Sequence, residues 1–353
     1  MKVLVTGGCG FVGSNLAILI KEQYPSYEVV CMDNLKRRGA ELSLSRLKAM
    51  DIEFVHGDIR IRSDFDFVDG ADFVIDAAAE PSVLAGLNEG TEYVVDTNLN
   101  GTINCLNFAA KHKASFIFLS TSRVYPIATL EQVNYQETAT RFELSSEQSI
   151  GGLSEKGVSE DVLLTGSRSI YGATKLASEL MIEEYNQLLG VKTVVNRCGV
   201  ITGPHQMGKV DQGVVVLWAA RHFWNQELSY IGYGGQGKQV RDILHVHDLF
   251  RLVDWEMHHM DEVNGETFNA GGGRDCSVSL RELTSLCEKY TGNQIPISEV
   301  PETRVADLRI YLTDNTKVTE KTGWVPKKTP DEIIEEIVQW IQKEELLLKP
   351  ILG

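Results

Sequence analysis

The sequence predicts an α/β fold built on a doubly wound parallel sheet, because short apolar runs alternate with segments of helical periodicity up to about residue 200. The runs are apolar throughout rather than alternating, which is typical of strands covered by helices on both faces. Between two of them, Leu99, Ile103, Leu106 and Ala110 recur at the spacing of one helix face. The predicted strands are residues 2–6, 28–32, 52–56, 72–76, 115–120 and 192–198.

A second, smaller domain is expected after Gly203-Pro204, where the pattern changes to glycine-rich segments and shorter elements. Helical stretches at 279–290 and from 331 to about 346 suit a C-terminal α/β domain that holds the substrate. The long polar segment 126–169 is expected to form a lid or a small excursion, since structureless loops of that length are uncommon. The predicted division is a sheet domain of 1–199, to which the chain returns at about 242–270, and a substrate domain of 200–241 and 271–353.

The 353-residue chain is acidic, with 34 Lys and Arg against 49 Asp and Glu and a net charge of −15. Such a surface repels phosphate backbones and anionic lipids, which argues against nucleic acid or a membrane as the partner. No apolar run approaches the roughly 20 residues of a membrane span. The six cysteines are scattered, without a C-x-x-C pair or a His/Cys cluster at metal-ligand spacing. We therefore expect reduced thiols, no metal and a cytoplasmic location.

The strongest motif lies at the N-terminus, where Thr6-Gly7-Gly8-Cys9-Gly10-Phe11-Val12-Gly13 joins an apolar strand to a helix. Gly7 permits a tight turn, Gly10 allows a pyrophosphate to approach the backbone, and Gly13 allows close helix–sheet packing. The helix start at Phe11 and Val12 presents backbone amides to the phosphates. Asp33 follows in register to accept the ribose hydroxyls and to repel a 2′-phosphate. The pattern predicts a Rossmann-type site for NAD rather than for NADP, and disfavours a glycine turn without a ligand.

Other strand ends supply further candidate cofactor contacts. Asp58 and Ile59 follow the third strand, where the adenine would lie, and three small residues end the fourth strand, where a cofactor could lie against the backbone. Both sets are equally compatible with ordinary strand-end packing. Arg37 and Arg38 lie close enough to Asp33 to weaken the preference for NAD over NADP. The remaining candidate contacts are Asn34, Ala77, Ala78, Ala79, Asn98 and Ser120.

A second motif pairs Tyr171 with Lys175 in the segment Ser169-Ile170-Tyr171-Gly172-Ala173-Thr174-Lys175. The two side chains share a face when the segment is helical. A phenol has a reference pKa near ~10, and a neighbouring ammonium together with a positive nicotinamide ring is expected to bring it towards the working range. Ser120-Thr121-Ser122 ends the fifth strand, where a hydroxyl could hold the substrate oxygen. These residues predict a base, a cofactor contact and a hydroxyl donor for a redox reaction.

Together these motifs resemble the extended short-chain dehydrogenase/reductase family, and within it the nucleotide-sugar epimerases. The resemblance covers nearly the whole chain. It implies that Thr121, four positions before the tyrosine of the Val124-Tyr125 pair, carries the catalytic hydroxyl. It also implies that Arg241 contacts the diphosphate of a sugar nucleotide, with Lys238, Arg304 and Asp307 beside it. The other matching stretches are 96–102, Asn196-Arg197, Gly203-Pro204, 237–242 and 322–326.

The likeness is greatest to the members that act on CDP-sugars at carbon 2, through stretches that include Asp33-Asn34-Leu35, 54–60 and 237–242. It implies transient oxidation to a keto-sugar and return of the hydride on the other face. Related 4,6-dehydratases carry an Asp-Glu pair directly after the catalytic Thr, where this chain has Ser122 and Arg123, which we expect to face the substrate. A 4-epimerase acting on UDP-glucose or UDP-glucuronate, a dehydrogenase and a non-catalytic NAD sensor stay open as alternatives. Val200 replaces an Asn that contacts the nucleotide in many relatives.

The predicted helix that carries Tyr171 and Lys175 has an unusually wide apolar surface. Six residues cover about half of its circumference, which is more than the stripe of about 100° needed for packing on one sheet. The excess is compatible with plain core or with a subunit interface, and the family resemblance favours a homodimer through this helix. The six residues are Leu176, Ala177, Leu180, Met181, Tyr185 and Leu188.

Overall fold

The computed structural model describes residues 1–87, 90–208 and 212–353, and the chain divides into two compact units. The first unit comprises Met1–Val124, Ser169–Cys198 and Leu249–Phe268. The second unit comprises Tyr125–Arg168, Gly199–Asp248 and Asn269–Gly353. None of the helices in the described ranges is long and apolar enough to cross a membrane.

Both units contain strands and helices. In chain order, the strands are β1 (Lys2–Thr6), β2 (Glu28–Asp33), β3 (Glu53–His56), β4 (Phe73–Asp76), β5 (Ser115–Thr121), β6 (Tyr135–Glu137), β7 (Phe142–Leu144), β8 (Leu153–Ser154), β9 (Gly157–Val158), β10 (Thr193–Cys198), β11 (Val200–Thr202), β12 (Leu228–Ile231), β13 (Val240–His245), β14 (Glu266–Ala270), β15 (Ser277–Ser279), β16 (Ile297–Val300) and β17 (Ile310–Tyr311). The helices are α1 (Phe11–Gln23), α2 (Ser43–Ala49), α3 (Glu92–Val95), α4 (Gly101–His112), α5 (Ile127–Leu130), α6 (Ile170–Leu189), α7 (Val214–Phe223), α8 (Val246–His258), α9 (Met260–Val263), α10 (Leu280–Thr291), α11 (Thr316–Thr322), α12 (Pro330–Lys343) and α13 (Glu345–Leu352).

The first unit is built on a seven-stranded sheet with the order β14-β10-β5-β4-β1-β2-β3. Strands β1 to β5 and β10 pair in parallel, which confirms the predicted fold class. The central strand β4 and the inner strand β10 are buried at every residue, as the apolar runs predicted. Because parallel strands end at the same edge, Thr6, Asp33, Asp76 and Thr121 all lie along the carboxyl edge of this sheet.

The ends of the helices around this sheet are set by capping side chains and by glycines. α6 starts after Ser169, whose side chain accepts a hydrogen bond from the Gly172 amide at 3.1 Å. It ends at Gly190, which adopts a left-handed conformation with φ of 69°. α4 is preceded by one π-helical turn, Asp96–Asn100, which interrupts the regular helix that the spacing of Leu99 and Ile103 predicted. The seventh strand, β14, was not among the six predicted strands.

The second unit holds smaller sheets. Strands β11, β13, β15 and β17 form one of four strands, and β12 pairs with β16. Helices α10 and α12 each start at a capping box, Ser279 with Glu282 and Thr329 with Glu332, which explains why both were visible in the sequence. This unit also holds the segment 125–168, as the hairpins β6–β7 and β8–β9 with the short helix α5.

The observed division differs from the predicted domain boundaries at two places. Residues 125–168 and 242–248 pack with the second unit rather than with the sheet. For the first, the reason is strand-like backbone bonding, since the Phe142 amide donates to the Lys238 carbonyl at 2.9 Å and the Val158 amide to the Leu312 carbonyl at 2.8 Å. For the second, β13 continues without a break to His245 between β11 and β15.

Candidate active site and cofactor site

The glycine loop joins β1 to α1 with the tight geometry that its sequence predicts. Gly7 has φ of 64°, and a Cβ there would lie 2.8 Å from the Ala77 carbonyl oxygen, so a side chain would strain both the conformation and the packing. A Cβ on Gly13 would lie 2.2 Å from the Gly7 oxygen. Gly10 differs, because its Cβ would meet one neighbour only, the Gly7 oxygen at 3.1 Å. Space for a bound group is therefore open in front of Gly10.

The start of α1 is suited to a phosphate group. Gly10 is the residue before the helix, no side chain caps it, and the first turn from Phe11 carries no acidic residue. The backbone amides there are directed away from the helix and carry its positive dipole end. The Gly10 amide itself donates to the Gly7 carbonyl at 2.9 Å and so holds the loop closed. The residues present thus fit the pyrophosphate of a dinucleotide.

Asp33 ends β2 beside this loop and is fixed by backbone donors. Its Oδ2 accepts from the Cys9 amide at 3.0 Å, and its Oδ1 accepts from the Leu35 amide at 2.8 Å. Burial raises the pKa of Asp33, against these amide hydrogen bonds, which lower it. The carboxylate is therefore held at the mouth of the glycine loop, in the position predicted for the ribose contact.

The predicted adenine contacts lie at the end of β3. Burial disfavours the ionised form of Asp58, but hydrogen bonds from Arg60 and Asn34 outweigh it and lower the pKa of Asp58 to about 2. The Asn34 amide donates to Asp58 at 2.9 Å, and Arg60 bridges to the same carboxylate at 2.6 Å. Ile59 is buried in the core and packs under α4 rather than facing outward. At the end of β3, the Asp58 carboxylate is therefore held by a hydrogen bond from Asn34 and an ion pair with Arg60.

The loop after β4 is tied to α6 by Asn98. The Glu80 amide donates to the Asn98 side chain at 2.8 Å, and the Asn98 amide donates to the Glu80 carbonyl at 3.0 Å and to the Thr174 hydroxyl at 3.2 Å. Asn98 is fully buried, so its side chain holds the strand end in place. The half-buried residues Ala77, Ala78 and Ala79 precede Glu80 on this loop, with the Ala77 carbonyl against Gly7.

Thr121, Tyr171 and Lys175 are brought together at the carboxyl edge of the sheet. The side chain of Thr121 faces the Tyr171 phenol and lowers its pKa, and Lys175 lies one helical turn beyond Tyr171 on α6. All three are buried, with Lys175 only 2% exposed. The Lys175 ammonium lies 3.7 Å from the centre of the Phe118 ring, which provides a cation–π contact. The arrangement can hold an alcohol oxygen and move its proton.

Burial dominates the electrostatics of Tyr171 and Lys175. Burial raises the pKa of Tyr171 to about 12, and the Thr121 hydrogen bond and the Arg123 charge only partly oppose it. Burial also lowers the pKa of Lys175 to about 8, against the carboxylates of Asp76 and Glu179. The lowering of the phenol pKa by the Lys175 ammonium together with the nicotinamide ring stays a prediction for the NAD-bound protein.

A buried ion pair behind Lys175 escaped the sequence analysis. Glu179, one turn beyond Lys175, lies 2.7 Å from the Arg197 guanidinium, and both side chains are less than 10% exposed. The Ser120 hydroxyl donates to the same carboxylate, so this predicted cofactor contact is engaged inside the protein. Two signals could have revealed the pair: the i, i+4 spacing of Glu179 from Lys175, and a charged residue within the apolar strand β10, which must find a partner when buried.

The predicted substrate residues of the second unit each have protein partners. The Arg241 guanidinium lies 2.7 Å from the Asp307 carboxylate, and the Asp307 amide donates to the Arg304 backbone carbonyl at 3.2 Å, which joins Arg304 to this pair through the backbone. The Lys238 ammonium is 2.7 Å from Glu137 on β6. A diphosphate bound to these cations would have to compete with two carboxylates. Ser122 and Arg123 belong to the first unit and follow Thr121 in a 3-10 turn.

No metal site emerges from the geometry. In the part of the chain that the structure describes, no group of three or more His, Cys, Asp or Glu side chains is placed to hold an ion. The six cysteines are free and buried. Burial raises the pKa of Cys9, Cys198 and Cys276 to about 12 each, which keeps these thiols protonated.

Comparisons with known proteins agree with this geometry. Residues 3–271 match the model of the NAD-dependent epimerase/dehydratase family. The CDP-paratose 2-epimerase of Salmonella typhi is 31% identical over 96% of this chain and 99% of its own length. A UDP-glucose 4-epimerase structure from Thermotoga maritima, with UDP-glucose, superposes with a TM-score of 0.75 at 26% identity, over 98% of this chain and 100% of that one. A dTDP-glucose 4,6-dehydratase from Streptomyces venezuelae, a double mutant with NAD bound, has a TM-score of 0.80 at 25% identity, over 99% and 100%.

Proposed function

This chain belongs to the NAD-dependent epimerase/dehydratase family, and we propose that it inverts carbon 2 of a CDP-activated sugar, as in the conversion between CDP-paratose and CDP-tyvelose. The family assignment makes NAD its cofactor and a nucleotide sugar its class of substrate. The proposal adds the reaction type, the carbon atom and the nucleotide.

The observation that carries an epimerase over a dehydratase is the surroundings of Thr121. Its side chain faces the Tyr171 phenol, and the two positions after it hold Ser122 and Arg123. Elimination of water from a sugar needs a second acid and base beside the Tyr. Neither a serine hydroxyl nor a guanidinium supplies these at neutral pH. Oxidation and reduction at one carbon need only the proton transfer that Tyr171 provides.

The protein residues divide the reaction between them. Tyr171, as the phenolate, takes the proton of the sugar hydroxyl and returns it at the end, while the Thr121 hydroxyl donates a hydrogen bond to the same oxygen. NAD held at this site would supply a reversible hydride acceptor for the sugar carbon, so that the hydride could return to the opposite face. Lys175, on the same helix face as Tyr171, would hold the nicotinamide ribose, while the glycine loop holds the pyrophosphate and Asp33 the adenosine ribose. The product differs from the substrate only in configuration.

The diphosphate of the sugar nucleotide has candidate ligands in the second unit. The Arg241 guanidinium is paired with the Asp307 carboxylate, and Arg304 precedes Asp307 in the same turn of the backbone. A diphosphate would displace part of the Arg241–Asp307 contact and gain bidentate hydrogen bonds in its place. Lys238 would add a third cation if its ammonium exchanged the Glu137 carboxylate for the diphosphate.

The choice of carbon 2 and of a CDP-sugar is supported by the 31% identity with a CDP-paratose 2-epimerase along nearly the whole of both chains. The alternative is a 4-epimerase of the UDP-glucose or UDP-glucuronate type, which the similarity to a UDP-glucose 4-epimerase structure favours. Both reactions use the same base and cofactor, so they differ in how the sugar is turned towards Tyr171.

Proton NMR of the products separates these functions. The protein is incubated in heavy water with CDP-, UDP-, GDP- and dTDP-sugars. We expect inversion at carbon 2 of a CDP-sugar without incorporation of solvent deuterium at that carbon, because the hydride returns directly. Inversion at carbon 4 would replace the substrate assignment, loss of water would establish a dehydratase, and stoichiometric release of NADH would exclude an epimerase.

The proposal includes a homodimer formed through α6 and a cytoplasmic location. On α6, Met181 and Tyr185 pack against the core of the first unit, whereas Leu180 and Leu188 are 58% and 75% exposed. Exposed leucines on a helix that already packs on the sheet are suited to a second copy of that helix. Six buried free thiols suit a reducing compartment.

A further inference from the structure

A closed chain of contacts joins three elements of the first unit beside the residues predicted to hold the adenosine of NAD. Two of these elements are the loops after β2 and β3, and the third is the short helix α3. The contacts are made by Asn34, Lys36, Asp58, Arg60 and Tyr93. Asn34 and Asp58 are already candidate cofactor contacts, whereas the other three residues have no role in the site described above.

The loop after β2 is held in a conformation that its sequence does not favour. Leu35 has φ of 53°, in the left-handed region that a leucine rarely adopts. The Asp33 carboxylate accepts from the Leu35 backbone amide at 2.8 Å, and the Asn34 side chain accepts from the Lys36 backbone amide at 3.0 Å. Because Asp33 is the predicted ribose ligand, this turn and the ribose contact depend on the same carboxylate.

The same loop is bonded to the loop after β3. The Asn34 side-chain amide donates to the Asp58 carboxylate at 2.9 Å, and the Arg60 guanidinium lies 2.6 Å from that carboxylate. Asp58 therefore links the two loops on which the ribose and adenine contacts are predicted.

Tyr93 on α3 completes the chain of contacts through two cations. The Lys36 ammonium lies 3.0 Å from the centre of the Tyr93 ring, and the Arg60 guanidinium carbon lies 4.7 Å from it. The face of an aromatic ring attracts cations. The two cations repel each other, so the attraction of one ring to both is needed to keep them together. Lys36 and Arg60 are exposed, whereas Tyr93 is half-buried and anchored in the helix.

We infer that Tyr93 is a positioning residue for NAD, which holds the loops after β2 and β3 in place through Lys36 and Arg60 and so slows release of the cofactor. Since the ribose and adenine contacts are predicted on these loops, NAD leaves more easily when the loops are free to move. The inference goes beyond the proposed function, because it concerns the cofactor of the family and does not depend on the sugar.

The test is the rate at which NAD bound to the protein exchanges with isotope-labelled NAD, followed by mass spectrometry of the bound fraction. We expect Tyr93→Leu to exchange about tenfold faster, because it loses two exposed cation–π contacts, each of which contributes a factor of about two to five. Tyr93→Phe keeps the ring and should exchange at close to the wild-type rate. Lys36→Gln should exchange about two to five times faster.

The matched control is Lys289→Gln, which removes an exposed ammonium 4.7 Å from the Tyr290 ring in the second unit. Its exchange rate should equal that of the wild type. A double variant separates the action of Lys36 through Tyr93 from a direct contact of Lys36 with NAD. Lys36→Gln should have little further effect in the Tyr93→Leu background if the ammonium acts through the ring.

The inference is overturned if Tyr93→Leu exchanges at the wild-type rate, or if Tyr93→Phe exchanges as fast as Tyr93→Leu. An equal effect of Lys36→Gln with and without the Tyr93 ring would overturn it as well. Should Tyr93→Leu fail to fold, Lys36→Gln still decides, since it alters an exposed side chain and an unchanged exchange rate would refute the role of the contact.

These outcomes are independent of the proposed function, because the exchange of NAD needs no sugar. If the rates change as expected and no nucleotide sugar is epimerised, the proposed function fails and the inference stands. If the protein proves to be an epimerase and Tyr93→Leu retains NAD as the wild type does, the inference fails alone.

Discussion

The side chain of Thr121, at the carboxyl end of β5, faces the hydroxyl of Tyr171 in the first turn of α6 and lowers the pKa of that phenol. The contact brings the proposed base and the proposed hydroxyl donor together, so that both could reach the same substrate oxygen. It is made between two buried residues, so water competes little for either group.

Replacing Tyr171 by Phe should remove the base and leave the fold intact. We expect turnover to fall by about a thousandfold, the middle of the range for loss of a general base. NAD should stay bound, which its absorbance and stoichiometry after gel filtration would show. The control is Tyr185→Phe on the same helix, which loses a hydroxyl bonded to Asn107 and should keep activity. Activity that survives in Tyr171→Phe would mean that another residue is the base.

Gly10→Ala and Gly13→Ala should differ in a way that tests the cofactor site. A methyl group on Gly10 meets only the Gly7 oxygen at 3.1 Å, so the variant should fold but weaken NAD binding by about tenfold or more. A methyl group on Gly13 would lie 2.2 Å from the same oxygen, so that variant should lose stability as well. Calorimetric binding and thermal unfolding measure the two effects. Unchanged NAD affinity in Gly10→Ala would argue against a phosphate at this loop.

Glu179→Gln should destabilise the first unit, since it removes the carboxylate charge that is paired with the buried Arg197 guanidinium. Loss of one member of a buried ion pair costs about 3–5 kcal/mol. The free energy of unfolding in urea gives the value directly. Glu183→Gln, on an exposed position of the same helix, should change it by less than about 0.5 kcal/mol. Equal effects of the two variants would contradict a structural role for the pair.

The buried carboxyl of Glu256 should make stability fall as the pH rises. Burial raises its pKa to about 8, although the Asn196 amide donates to it at 2.9 Å. Its pKa in the unfolded chain is near 4.5, so between about pH 4.5 and 8 the folded state binds more protons than the unfolded state. The group therefore disfavours folding increasingly across that window, by at most about 1.4 kcal/mol per pH unit.

Glu256→Gln should remove this loss, so that the variant is the more stable protein at pH 8 and differs little at pH 4.5. Unfolding in urea at a series of pH values measures the difference. A wild-type and variant difference that does not grow with pH would show that Glu256 ionises normally.

Leu180→Asp should convert the proposed homodimer to monomers, because a carboxylate would be buried at the centre of the α6 face. Leu180 is 58% exposed in the single chain, so the monomer itself should fold. Sedimentation velocity reports the oligomeric state. Leu163→Asp, at a 77% exposed position outside α6, is the control and should leave the dimer intact. A monomeric wild-type protein would exclude the interface.

The parallel sheet and the glycine loop could be predicted because each depends on local pattern. Apolar strands such as Phe73–Asp76 and the turn at Gly7 need no distant partner to be recognised. The placement of 125–168 could not be predicted in this way, because it depends on backbone bonds to Lys238 and Leu312, far along the chain. β14 was missed for the same reason, since it joins the sheet only next to β10.

The candidate site shows the same limit. Tyr171 and Lys175 could be found from their spacing, but the pKa of each depends on what buries it and on which charges face it. Glu80, Asp76 and Arg197 come from three different strand ends or strands, so no motif joins them. The sequence could therefore name the reacting groups but not the balance of charge around them.

The segment 125–168 leaves the first unit just after Thr121 and rejoins it just before Tyr171. Thr121 and Tyr171 therefore lie where the chain leaves the first unit and where it returns to it. Insertions or deletions within segment 125–168 can therefore change the length and the surface of that segment while Thr121 and Tyr171 stay on the first unit. Related chains can in this way acquire new specificities in the excursion while the reacting pair keeps its geometry.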